Sequence, residues 1–367
     1  MKELLPYLQD AAAIAFALLG AATAVTWLRR RDRSMGFLAL AIVLLGAVLG
    51  LSRLQAHLPF TIPLLAQFTL AAFAGSGYAL LLYRNSLIPL PRRWHVAAAA
   101  SLAAASVLIL VAQALSAGRN VLLVIAIAWI LIWCACVAEP ITRFWLVARK
   151  LPAVQAWRLR SLSLAFGAFV AILLFAISVG LLVRQPAIQV FFELVVLAIV
   201  PLLYASFAPP TWLRRQWRAA EEDRIRSFME DLLVSEDRDA LAARALEWAM
   251  RLVGGGSAVL FDSAGKPVSA NGLSDEQIEE LSGQLSKLSR GVGRINLDGA
   301  DSSVITLRVK GLSTSWTLLL VAGPFTPGFG SDEMSRMQQL MSAFVTALDR
   351  RHLIVQLEHS NAALQEA

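Results

Sequence analysis

Seven apolar stretches, near residues 10–28, 35–52, 60–83, 95–117, 120–145, 161–183 and 187–208, fill most of the first 209 positions. Each is close to the roughly 20 helical residues needed to cross a hydrocarbon core of about 30 Å. Lipid offers no partner to an open N–H or C=O, so such a segment must close its own hydrogen bonds as a helix. An all-α seven-helix transmembrane bundle is therefore expected over residues 1–209. The first stretch, DAAAIAFALLGAATAVTWL, is followed by the basic LRRRDR. A secretory signal carries its charge before the apolar run, so this is read as a retained span.

Charge sorts the connecting segments. After spans 1, 3, 5 and 7 come Arg29, Arg30, Arg31 and Arg33; Arg84, Arg92 and Arg93; Arg149, Lys150, Arg158 and Arg160; then Arg214, Arg215 and Arg218. The other side holds Lys2, Arg53, Arg119 and Arg184. The positive-inside rule then puts the N-terminus outside and the C-terminal half in the cytoplasm, as for a multi-pass membrane protein. Residues 1–209 carry net +11 and residues 210–367 net −4, against +7 for the chain. The basic excess belongs to the inter-span segments. Membrane lipids are the expected partners, and nucleic acid is not.

The residue types within the spans exclude several chemistries. His57 falls in an outer loop and His95 at an inner edge, which leaves no histidine pair for haem. Span 7 has no lysine for a retinal Schiff base. Cys134 and Cys136, the only cysteines, stand at i,i+2 on different sides of a helix, so neither a disulfide nor a metal clamp is expected. No cofactor is called for.

Intramembrane acids are costly and point to function by default. Glu139 precedes Pro140, and Arg143 four residues on supplies an i,i+4 ion pair. Glu193 lies about two turns into span 7, between Phe192 and Leu194, with Gln189 one turn earlier and no basic neighbour in sequence. Helix packing by a protonated carboxyl and a ligand or proton site are both open readings of Glu193. Trp129 and Trp133, one turn apart, suit either an apolar ligand pocket or packing.

Beyond Pro209-Pro210 the character changes. Residues 210–233 read as a signalling linker helix, with Leu213, Trp217, Ile225, Phe228 and Leu232 at spacings of three and four. Residues 234–349 read as an α+β domain: a helix, a strand hairpin through SAGK, a second helix, further strands and a long closing helix, with the helices on one face of an antiparallel sheet. The closing helix carries Met337, Met341, Phe344 and Leu348 on one stripe. Leu353, Leu357, Ser360 and Leu364 form a second, out of phase with the first, which marks residues 350–367 as the start of an exit coiled coil. These seams predict a parallel homodimer and a relay function. No catalytic residue, metal set or Gly-rich nucleotide loop is recognised in the sequence.

DRDALAARALEWAMRLVGGGSAVLFDSAGKPVSA resembles the opening of a GAF domain, and SSVITLRVKGLSTSWTLLLVAGPFTPGFGSDEMSRMQQLMSAFVTALDRR resembles its close. The likeness runs over roughly residues 234–352 and implies a ligand-binding or dimerising sensor fold. This domain lacks the cysteine of bilin-binding members and the Asn-Lys-x-x-Phe signature of cyclic-nucleotide members. With seven spans ahead of it and QLEHSNAALQEA after it, the whole resembles the sensory half of a bacterial membrane histidine kinase. In that family the coil leads to a phosphorylated histidine and an ATP-binding domain, expected here beyond Ala367, and through them to a response regulator. His352 and His359 lack the acid and base that accompany such a histidine. A diguanylate cyclase as effector, or a transporter with a regulatory cytoplasmic domain, are the alternative readings. The signal could be an apolar or weakly acidic molecule, the membrane itself or a membrane redox lipid.

Overall fold

The computed structural model describes the chain except residues 1–3, 31, 61, 150, 181–184, 211, 218–226, 228–237, 254, 287, 298–299, 313, 324, 327–330 and 367. Two compact units result: Met1–Lys150 with Ala156–Thr211, and Leu151–Gln155 with Trp212–Ala367.

The first unit holds seven helices long and apolar enough to cross a membrane. They are α1 (Leu4–Arg30), α2 (Arg33–His57), α3 (Pro63–Leu87), α4 (Arg92–Ala114), α5 (Arg119–Ala148), α6 (Ala153–Val179) and α7 (Pro186–Phe207). Their number and order match the apolar stretches, and the fit is to a multi-pass membrane protein. Their ends do not coincide with the edges of the apolar runs. Helix α2 continues to His57, which the sequence assigned to a loop, and α6 starts eight residues before 161, taking in Arg158 and Arg160. The ladder of backbone hydrogen bonds has no reason to stop where side chains turn polar, so helices run on into the interfacial zone.

Local signals set several ends. Asp32 caps α2 by accepting from the Ser34 N–H at 3.1 Å. Pro63 and Pro186 open α3 and α7, where a missing N–H costs nothing. Helix α2 packs on α1 and α3, α1 also packs on α7, and α5 packs on α3 and α4. Two glycines permit close approach. A Cβ on Gly46 would lie 3.2 Å from the Phe16 carbonyl oxygen of α1, and one on Gly77 would lie 2.6 Å from Trp133 Nε1 of α5.

The second unit contains a small antiparallel sheet. Helix α8 (Arg238–Val253) leads to β1 (Gly255–Phe261) and β2 (Pro267–Asn271). Then come α9 (Asp275–Gln284), β3 (Gly291–Leu297), β4 (Ala300–Lys310), β5 (Ser315–Ala322) and the 36-residue α10 (Ser331–Glu366). The strand order is β2-β1-β5-β4-β3. At the β1–β2 turn, Asp262 accepts from the N–H groups of Ala264 and Lys266, both at 2.9 Å, and Gly265 takes φ +77°. Ser274 and Gln277 form a reciprocal capping box at the start of α9.

Helices cover both faces of this sheet, which corrects the expectation of one covered face. Ala258, Leu260, Ile305, Leu307, Trp316, Leu318 and Leu320 pack with residues of α8 and α10. Val259, Phe261, Val304, Leu319 and Val321 turn the other way and pack with Leu281 and Ile278 of α9. The unalternating runs AVLF and TLLLV are the mark of strands buried on both sides. Strand β3 was not foreseen. GVGRINL has two glycines, and of its residues only Ile295 is buried, as suits an edge strand.

Candidate functional site

Polar side chains inside the seven-helix unit gather at its two ends. At the end holding the start of α1, the end of α2 and the start of α7, four side chains, Gln9, Asp10, Arg53 and His57, form one connected network. Asp10 of α1 accepts from Arg53 of α2, with Oδ1 at 2.7 Å from both Nε and Nη2. Arg53 Nη1 also donates to Gln9 Oε1 at 2.8 Å. His57, one turn beyond Arg53, holds Nε2 at 3.4 Å from Asp10 Oδ1 and at 3.4 Å from Arg53 Nη2. Glu193 of α7 lies at the same end, within electrostatic reach of Gln9 and Arg53. His57 is the exposed member of this network (65% side-chain exposure), and Glu193 beside it on α7 is half-buried.

The placement of Glu193 differs from the sequence picture in one respect. Its neighbours in sequence include no base, yet the fold sets Arg53 near it, because antiparallel helices bring the end of α2 level with the starts of α1 and α7. Gln189 is also half-buried, one turn before Glu193 on α7. Asp10, Gln9, Arg53 and His57 were not singled out by sequence. The available signal was depth: all of them sit within about two turns of the same end of their helices.

At the opposite end, Arg84 in the last turn of α3 meets Glu139 of α5, Nη2 to Oε1, at 2.8 Å. The expected Arg143 to Glu139 contact is present but longer, at 3.4 Å. Arg84 is thus the main partner. Its side chain is 4% exposed, and Nη1 donates to the Ile88 carbonyl at 2.9 Å, so the guanidinium also closes the C-terminus of α3. Arg84 Nε and Glu139 Oε2 have no protein partner. The pair is one-point and not a parallel fork. Arg158 of α6 performs a similar closure on α7: its Nε donates to the Ser206 carbonyl at 2.8 Å.

Trp129 and Trp133 are both buried between helices. The Trp133 ring stacks on Phe73 at 4.5 Å between centroids, and its Nε1 donates to the Phe73 carbonyl at 2.8 Å. Trp129 also meets Phe73, at 5.1 Å, and donates to Ser106 Oγ at 3.0 Å. The two indoles join α5 to α3 and α4, and their N–H groups are satisfied within the protein.

In the second unit, Met337, Met341, Phe344 and Leu348 are buried, where they fasten α10 to the sheet. Trp316 meets Phe344 edge-on at 5.9 Å. Leu353 and Leu357 follow on the same helix and are exposed, as is Ile354. Leu364 lies within α10. Ile225, Phe228 and Leu232 of the linker fall outside the described residues, while residues 212–217 are helical. Comparison with protein-family models, with curated proteins and with solved structures finds no match to this chain.

Proposed function

We propose that this chain is the membrane signal-sensing and transmitting region of a sensor histidine kinase. In this reading the bundle receives a membrane or extracytoplasmic signal at a bacterial inner membrane. The GAF-like domain and exit coil pass it to a kinase outside these 367 residues, and so to a response regulator. The observation that carries the reading is the division of labour along α10. One uninterrupted helix first supplies the core of the sheet domain through Met341, Phe344 and Leu348, then leaves it with Leu353, Ile354 and Leu357 exposed. Apolar residues at these spacings are left without cover in one chain and are buried when two such helices pair as a coiled coil. Any rotation or shift of the domain core is then delivered to the coil, because the helix is shared.

The test is the oligomeric state in membranes. Cysteine pairs formed across chains at Leu357→Cys and at Leu364→Cys should trap a parallel dimer on mild oxidation. Absence of any cross-link at both positions, with Gln356→Cys reacting normally toward a thiol reagent, would sink the relay reading.

A further inference from the structure

We infer that the end of the bundle holding the last turns of α5 and the first turns of α6 carries a site for one anionic phospholipid, with the Arg160 guanidinium on its phosphate and an exposed stripe of α6 along an acyl chain. Arg160 lies over two exposed indoles, its guanidinium carbon 5.4 Å from the Trp157 ring centroid and 6.0 Å from that of Trp145. Trp157 is on α6 and Trp145 on α5, and Ser163 Oγ of α6 ties the two helices by donating to the Ile141 carbonyl at 3.2 Å. Stacking occupies the face of a guanidinium and leaves the N–H groups at its edge free. Among the described residues nothing accepts from those groups, and Arg160 takes part in no hydrogen bond or ion pair. The other bases nearby are engaged: Arg84 and Arg143 hold Glu139, and Arg158 donates to the Ser206 carbonyl. Glu139 is the sole acid of α5, and α6 has none. Arg160 is thus held in place with its donors unclaimed.

The helix surface beyond Arg160 suits hydrocarbon. Trp157, Arg160, Leu164, Gly167, Ala171 and Phe175 recur at spacings of three and four, which puts them on one face of α6. Leu164, Ala171 and Phe175 are exposed, and a Cβ on Gly167 would meet nothing within 4 Å, so the stripe is open along its length. From Arg160 to Ala171 is about 16 Å of helix, close to half of a hydrocarbon core of about 30 Å. Arg160 directly precedes the apolar run, at the level where tryptophans and lipid phosphates meet water. A choline or ethanolamine lipid brings its own ammonium to its phosphate, whereas an anionic lipid leaves the phosphate charge to the protein. Residues 149–160 hold four bases and no acid, which favours the anionic lipid. The linker acids Glu221, Glu222 and Asp223 lie outside the described residues, and their competition for Arg160 is measured directly.

The experiment uses the 367-residue chain in phosphatidylcholine nanodiscs, with Cys134 and Cys136 replaced by Ala and a fluorophore on Ala171→Cys. A fixed fraction of the lipid carries brominated acyl chains, on either phosphatidylglycerol or phosphatidylcholine, and bromine quenches only near contact. Brominated phosphatidylglycerol should be preferred at the probe by about fivefold. Arg160→Gln should remove the preference, and Trp145→Leu should weaken it. Arg93→Gln, an exposed base at the start of α4 and the same end of the bundle, should leave it intact. Unchanged quenching by brominated phosphatidylcholine shows that each variant remains seated in the bilayer. Equal quenching by the two lipids, a preference that survives Arg160→Gln, or one lost equally in Arg93→Gln would overturn the inference. So would a preference that appears only when Glu221, Glu222 and Asp223 are made neutral, which would assign Arg160 to those acids. Quenching by neither lipid, with a disulfide formed between chains at Leu164→Cys, would give the stripe to a second copy. Cross-linking at Leu357 and Leu364 tests the relay separately, so the lipid site can fail while the relay stands.

Discussion

At the scale of single residues, the costly groups are the ones that mark where the helices are tied. A buried guanidinium is tolerated only while its charge and donors are answered, and breaking such a pair by removing one partner costs more than removing both. Glu139→Gln should therefore destabilise the chain by about 3 kcal/mol, because Arg84 is almost wholly buried. Arg84→Met with Glu139→Leu should recover most of that loss. Thermal unfolding of Glu139→Leu, Arg84→Met and the double variant in one detergent, read as a double-mutant cycle, decides it; a double variant whose loss equals the sum of the two single losses would show that the pair is not coupled. The sequence marked Glu139 and Glu193 as expensive positions. It named Arg143 for the first and no base for the second, because neighbours along the chain are visible in sequence and neighbours across helices are not.

At the scale of elements, α10 invites a direct comparison. Phe344 is fully buried against Trp316, whereas Leu357 is 62% exposed. Phe344→Ala should cost the sheet domain about 3–5 kcal/mol, seen as lost hydrogen-exchange protection in β1, β4 and β5. Leu357→Ala should leave that protection unchanged and lower the yield of the dimer cross-link at Leu364→Cys. If Leu357→Ala instead loosens the strands, the end of the helix belongs to the domain and not to a coil. Both stripes on α10 were legible as periodicity, but period alone could not distinguish a stripe that faces a sheet of the same chain from one that faces another copy. The same limit applied to β1 and β5. Their unbroken apolar runs indicated burial, while the covering of the second face by α9 depended on where that helix returns.

At the scale of the whole molecule, the proposed relay function predicts that the 367-residue chain carries no label after incubation with radiolabelled ATP or GTP. Stable incorporation at His352 or His359 would contradict this, and mass spectrometry of the labelled peptide would locate it. Seven helices followed by an antiparallel-sheet domain were determined by the sequence itself: apolar length dictates spanning helices, and turn residues with short apolar runs dictate the strands. Those are local consequences of backbone hydrogen bonding and solvent. What only the tertiary structure decided is which charges meet. Asp10, Arg53 and His57 are separated by up to 47 positions and join because antiparallel α1 and α2 place them at one depth. Hydropathy reports a residue's preference for lipid or water and is silent on its azimuth about the helix, and it is the azimuth, fixed by packing, that makes a network out of scattered ions.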